Sequence, residues 1–227
     1  MWYNYFNKDL QARKNMEIKV LYEDSDIIVC HKDAGILSEG EAQNSLPKMI
    51  SDARNGETVF PVHRLDKETT GIIVYALNSR AAAALSKSIQ DGAFKKEYLA
   101  IVHGNVSPDT DTLVDLLYYD RKRGKSYVVD RKRNGVREAS LEYTVIKREN
   151  ALSYLKILLH TGRTHQIRVQ FASRSHILVG DRRYGAPKED GNALALLAHK
   201  LTFPHPKTKE IMSFQSESSE TFFHKSN

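Results

Sequence analysis

The sequence predicts an α+β domain built on one large sheet, antiparallel or mixed. Three observations predict it. From Lys95 onward, short segments rich in β-branched and aromatic residues follow one another with turn signals between them. Only a few windows carry helical spacing and caps, and no repeat of solenoid length recurs. The apolar run Ile72-Ile73-Val74-Tyr75-Ala76-Leu77 is too short for a helix of this kind and reads as a buried strand.

Ile18–Tyr22 and Ile27–His31 read as two strands joined by the turn-like Glu23-Asp24-Ser25-Asp26. Lys32-Asp33-Ala34-Gly35 is a further turn. Asn44 or Ser45 is placed to cap a helix that carries Pro47 in its first turn and ends near Ala53. After the apolar strand, Asn78 or Ser79 caps an Ala-rich helix to about Gln90, with Gly92 placed to end it. Glu97–His103 is a strand closed by Gly104-Asn105, and Ser126–Val129 is a strand between two charged turns. Ala139–Lys147 and Leu152–His160 alternate with period two across Arg148-Glu149-Asn150, as a hairpin does. Gln166–Ala172 has helical spacing behind a Thr cap. Leu194–Leu201 suits strand or helix, and Ile211–Phe214 is a last strand.

With 227 residues, 41% hydrophobic and 27% charged, the chain can bury a real core as one large or two small domains. No apolar run is long enough to span a bilayer, and the N-terminus lacks the basic-then-apolar order of a signal peptide. Cys30 is the only cysteine. It excludes an internal disulfide and a CxxC zinc site, suits a reducing cytoplasm, and reads as a small buried hydrophobe.

The net charge of +6 is unevenly placed. Arg121, Lys122, Arg123, Lys125, Arg131, Lys132, Arg133 and Arg137 face only Asp130, so this segment alone carries +7. Such a concentration is the footprint of a polyanion, with nucleic acid the first candidate.

Chemistry points to the loop Val62-His63-Arg64-Leu65-Asp66-Lys67-Glu68-Thr69-Thr70-Gly71, where one carboxylate stands just ahead of the buried strand. Gly71 marks either a positive φ or a close approach of another chain. A second block, Thr161–Arg168, holds two arginines and a histidine. If it faced the loop, Arg163 or Arg168 would pair with Asp66 and keep it ionised. The kinase-like His-Arg-Leu-Asp lacks a GxGxxG loop and a DFG, no GxSxG or P-loop is present, and the histidines show no metal-binding spacing.

These residues resemble one family. His63-Arg64-Leu65-Asp66-x-x-Thr69-Thr70-Gly71 is similar to the HRLDxxTSG signature of the RluA-like RNA pseudouridine synthases. Lys32–Leu37 resembles KPxGL, Lys96–Ala100 resembles KxYxA, Thr161–Arg168 matches TGRTHQIR, Gly180–Gly185 matches GDxxYG, and Leu197–Pro206 resembles LHAxxLxFxHP. The motifs occur in the family's order over roughly 18–215. Asp33 stands where the family has Pro, Thr70 where it has Ser, and Gln170 where His is frequent; the Pro preceding the GDxxYG match is missing in His176–Asp181.

The resemblance implies the pseudouridine synthase fold: a large, mostly antiparallel sheet bent around a central cleft with flanking helices. It implies isomerisation of uridine in rRNA or tRNA without cofactor or metal. Asp66 would be the catalytic aspartate that attacks the sugar, and Arg168 its ion-pair partner. Tyr98 would stack on the base and take part in the final proton removal. Arg64 would fill the gap left by the flipped nucleotide. Arg163 and the basic residues Arg121, Lys122, Arg123, Arg131, Lys132 and Arg133 would bind RNA. The expected organisation is an arm over 1–16, a catalytic domain over 17–216 without an S4 domain, and a tail over 217–227. A cytoplasmic monomer is expected. An RNA-binding module on the same scaffold and a glycosylase that cleaves without reattachment are the competing readings.

Overall fold

The structure is a computed structural model that describes residues 18–191, 193–217 and 222–223. The arm expected over 1–16 and most of the tail expected over 217–227 lie outside the described residues. Eleven strands form one sheet: β1 (Lys19–Glu23), β2 (Ile27–Lys32), β3 (Phe60–Pro61), β4 (Thr70–Ala76), β5 (Lys95–His103), β6 (Thr110–Asp120), β7 (Lys125–Val129), β8 (Val136–Glu149), β9 (Leu152–Leu159), β10 (Leu196–Pro204) and β11 (Ile211–Gln215). Their order is β1-β2-β4-β10-β5-β9-β8-β6-β7, with β3 on β4 and β11 on β10. Among the described residues the α-helices are α1 (Leu46–Ala53), α2 (Ser79–Gln90) and α3 (Gln166–Ala172).

β2 and β4 are continuous apolar runs because both of their faces are covered. Ile28, Cys30, Ile73 and Tyr75 pack with Leu46 and Ile50 of α1, while Ile27, Val29, Ile72 and Val74 pack with Ala81 and Leu85 of α2. Burying an aliphatic side chain of this size contributes about 1.5–3 kcal/mol. Ser45 caps α1 by accepting from the Lys48 N–H, and Asn78 caps α2 by accepting from the Ala81 N–H.

Among the described residues, all the pairings between these strands are antiparallel but one. β10 meets β4 in parallel through Leu197 opposite Thr70 and Ala198 opposite Gly71. Gly71 supplies both properties its position suggested. Its φ is +120°, and a Cβ there would stand 2.3 Å from the Ala198 carbonyl oxygen. This contact carries β10 in between β4 and β5 at the middle of the sheet.

Several sequence expectations need correction. Thr110–Asp120 is a strand that the pattern did not suggest, because its aspartates and threonines dilute the apolar signal. The Leu194–Leu201 ambiguity resolves to strand β10. α3 is not entered through a Thr cap: its N-cap is His165, left-handed at φ 54°, with no side-chain capping bond.

Candidate active site

The loop ahead of β4 is fixed at alternate residues. The Val74 N–H donates to His63 Nε2 at 3.1 Å. The Ser38 hydroxyl donates to the Leu65 carbonyl at 2.7 Å and accepts from the Leu65 N–H at 3.2 Å. The Lys67 carbonyl accepts from the Gly35 N–H at 2.8 Å and from Lys32 Nζ at 3.2 Å. Leu65 is in the core, so the next residue, Asp66, is aimed from a rigid base although it belongs to a loop.

Asp66 is mostly buried, and its Oδ2 accepts from Arg168 Nη1 at 3.2 Å. The same nitrogen reaches Glu68 Oε2 at 3.3 Å. The other edge of the guanidinium makes a bidentate pair with Asp181, with Nε and Nη2 each at 2.8 Å. Arg168 is 3% exposed and Asp181 1%. Burial works against the charge on Arg168, but the Asp181 hydrogen bonds and the charges of Asp181, Asp66 and Glu68 hold its pKa above the ordinary arginine value. For Glu68 too burial opposes ionisation, yet its own backbone N–H and Arg168 draw its pKa below the usual range. Asp181 sits in a pinched turn, where the Gly180 N–H donates to Asp190 and a Cβ on Gly180 would meet the Ala193 carbonyl oxygen at 2.0 Å.

His165 stands beside the pair, with Nε2 4.0 Å from Asp66 Oδ2 and Nδ1 3.2 Å from the Tyr184 hydroxyl. The first distance is too long for a hydrogen bond. Burial pushes the imidazole below its ordinary pKa, with Asp66 opposing, so the ring is neutral at pH 7.

These groups open into a cavity of about 420 Å³. Tyr98 of β5 lines it, 5% exposed, its phenol pushed up by burial and then by Asp66. Arg64 stands at the rim, half-exposed and paired with Glu39 at 2.7 Å. Arg163 also lines the cavity, but its Nε donates to the Glu138 carbonyl at 2.9 Å; of the two arginines considered for Asp66, Arg168 makes the contact.

The basic segment is split by β7. Arg121, Lys122 and Arg123 form the exposed tip between β6 and β7, where Asp120 accepts from the Lys122 and Arg123 N–H groups. Arg131, Lys132 and Arg133 lie exposed in the connection to β8 at the other end of β7, with Arg133 over the Tyr118 ring. β7 itself abuts the site: the Ser126 hydroxyl donates to the Thr164 carbonyl at 2.6 Å, and the Ser126 N–H to the Tyr184 hydroxyl at 2.9 Å.

Asp24, Asp26 and His205 come close enough to suggest a metal cluster. Their ligand atoms are already engaged. His205 Nδ1 accepts from the Lys207 and Thr208 N–H groups, which leaves Nε2 to donate to Asp24 at 2.8 Å, and Asp24 also accepts from the Asp26 and Ile27 N–H groups. The cluster ties β10 to the β1–β2 turn.

The sequence singled out Asp66, Tyr98, Arg168, Arg64 and Arg163, and the structure brings all five to one cavity. It did not single out Glu68, His165, Asp181, Lys32 or Lys96. Each lies within or beside a motif stretch, but only the fold shows that they are buried or charge-paired.

The architecture is that of pseudouridylate synthases. Two human structures share it: RNA Pseudouridylate Synthase Domain Containing 4, with a TM-score of 0.74, 22% identity and coverage of 97% of this chain and 95% of that one; and Domain Containing 1, with a TM-score of 0.72, 21% identity and coverage of 88% and 83%. The family model described as RNA pseudouridylate synthase matches residues 26–173. An Aquifex aeolicus protein named as an uncharacterized RNA pseudouridine synthase is 38% identical over 92% of this chain and 72% of its own length. The Neisseria meningitidis protein named ribosomal large subunit pseudouridine synthase D is 32% identical over 92% of this chain and 60% of its own length. The chain belongs to the RNA pseudouridine synthases, in their RluA-like branch, and is an RNA-modifying isomerase.

Proposed function

We propose that the chain isomerises specific uridines of structured RNA, with large-subunit rRNA the favoured class and tRNA the alternative, using Asp66 as nucleophile on a flipped-out nucleotide. The observation that carries the reading is the Asp66 carboxylate 3.2 Å from a buried arginine, at the wall of a cavity that also presents Tyr98. The rRNA preference rests on the name of the Neisseria relative.

A paired uridine hides its glycosidic bond, so the base is extruded into the cavity, where stacking and charge offset the cost of unstacking. Tyr98 offers a ring face worth roughly 1–3 kcal/mol of stacking. Arg64 leaves Glu39 at the rim and fills the gap in the helix. Arg168 holds the Asp66 carboxylate in orientation through their 3.2 Å contact. A carboxylate oxygen attacks C1′, the C1′–N1 bond breaks, and its electron pair leaves with the uracil. The ring turns and bonds to C1′ through C5, releasing the carboxylate. C5 loses a proton and N1 gains one, so the atoms balance as an isomerisation. Arg163, Arg121, Lys122, Arg123, Arg131, Lys132 and Arg133 hold phosphates, adding affinity and register more than sequence choice. The working unit in this reading is residues 17–216, acting as a cytoplasmic monomer.

Incubation with cellular RNA followed by pseudouridine mapping tests this. New pseudouridine with the native chain, and none with Asp66→Ala at RNA affinity within a few-fold, is the expected result. Activity retained by Asp66→Ala removes Asp66 from the mechanism. Bound but unchanged RNA makes the chain a binding module, and free uracil with abasic RNA makes it a glycosylase.

A further inference from the structure

Two lysines are buried near this site, and they differ in one respect. Lys32, 1% exposed, donates from Nζ to the carbonyls of Asp33, Ile36 and Lys67 at 3.1, 2.8 and 3.2 Å. Lys96, 6% exposed, lines the cavity, and among the described residues no acid or acceptor pairs with its ammonium. Neighbouring His63 offers it nothing: Nε2 is taken by the Val74 N–H, which leaves Nδ1 to carry the proton. The nearby charge is Arg163, a second cation. Burial first, and then Arg163, lower the Lys96 pKa. The ammonium tip has room because residue 162 is glycine; a Cβ there would lie 3.3 Å from Nζ.

A buried cation that faces a cavity without a protein partner is complementary to a negative or strongly accepting atom of whatever enters. Its position narrows that atom. β5 pairs with β9 in unbroken register through Lys96 and Tyr98, so the two side chains share one face of the strand, roughly 7 Å apart along it. Tyr98 lies in the field of Asp66, whereas Lys96 lies in that of Arg163. A nucleotide whose sugar is at Asp66 and whose base lies along Tyr98 therefore points the far edge of the ring at Lys96. The exposed cations at the rim and on the β6–β7 tip suit phosphates, which remain on the strand outside.

Resting on the uridine reading above, we infer that Lys96 receives a ring carbonyl oxygen of the target uracil and holds the base while it is detached from the sugar. When C1′–N1 breaks, the departing electron pair is shared between N1 and the carbonyl oxygens, and the ammonium hydrogen-bonds that growing charge. Lys96 gives up no proton and forms no covalent bond. It restrains the free ring until C5 meets C1′.

The test is single-turnover kinetics of the full chain on an RNA shown to be modified by the native protein. Pseudouridine, free uracil, abasic RNA and RNA affinity are measured for Lys96→Met and Lys96→Arg. Expected for Lys96→Met is a fall of roughly 100-fold in rate at saturating RNA, with affinity within a few-fold and free uracil appearing as a side product. Lys96→Arg, which keeps a cation, falls between Lys96→Met and the native chain. A native rate without released uracil overturns the inference. So does a loss confined to RNA affinity, which makes Lys96 a phosphate ligand. Thermal melting checks the fold, and Lys96→Gln replaces the Met variant under the same two criteria if that one does not fold. A native chain that forms no pseudouridine refutes the functional reading itself, so the two failures are distinct.

Discussion

At the scale of single residues, the site is a balance of buried charges held by backbone groups. Lys32 illustrates it: its ammonium joins the turn at Lys32–Gly35 to the Asp66 loop through three carbonyls. Burial, opposed by Asp66, Glu68 and Asp33, lowers its pKa to about 8 from 10.5. Between those values the unfolded chain binds the proton that the native state has released, so native stability rises with pH through this window. Urea unfolding from about pH 7.5 to about pH 10.5 is expected to show that rise in the native chain and to lose this part of it in Lys32→Met. The same substitution removes three hydrogen bonds, among them the one from Lys32 to the Ile36 carbonyl, and is expected to cost about 1–3 kcal/mol at neutral pH. Asp66 and Arg168 were both legible as motif residues, and the family resemblance implied their pairing; the residues alone left Arg163 and Arg168 both open, because local pattern does not reach across the 102 residues that separate the pair. Asp181 was harder still: nothing in Gly180-Asp181-Arg182-Arg183 says that this carboxylate turns inward while Arg182 and Arg183 stay exposed.

Among the elements, legibility followed burial. β2 and β4 were plain in the sequence because two covered faces demand continuous apolar residues, and α1 and α2 because their caps and spacing agree. β6 was invisible because much of its surface meets solvent and it carries Asp111, Asp115 and Asp120. The entry to α3 was misjudged because a left-handed histidine that makes no side-chain capping bond stands where a capping threonine was expected. The β4–β10 pairing yields a prediction at this scale. Gly71→Ala drives a Cβ into the Ala198 carbonyl at a φ that side chains rarely adopt, and neither backbone can move without parting the strands. A loss of about 2–5 kcal/mol in unfolding free energy is expected. A loss below about 1 kcal/mol in a denaturant titration would mean that the strands separate easily there.

For the molecule as a whole, strand order was the least legible feature. Local pattern cannot reveal that β10, late in the chain, enters between β4 and β5 and so sets the Asp66 loop and Tyr98 on either side of one cavity. Charge distribution was legible. The segment from Arg121 to Arg137 carries +7 against a net +6, leaving the rest of the chain at −1. The field is therefore lopsided, strongest beside β7 and the cavity it flanks. Replacing Arg121, Lys122 and Arg123 by glutamate is expected to weaken RNA binding. The slope of log affinity against log salt should fall by roughly one for each phosphate that the tip no longer neutralises. An unchanged slope in a titration between low and moderate salt would make the tip a solvated turn.

Arg168 leans on three acids, and only one of them is proposed to react. Once Asp66 bonds to a sugar carbon it is an ester and no longer an anion, yet Glu68 and Asp181 still neutralise the guanidinium. On the proposed route the covalent intermediate therefore forms without leaving an isolated positive charge in the protein interior, and the arginine is already in place to draw the carboxylate back when the sugar departs.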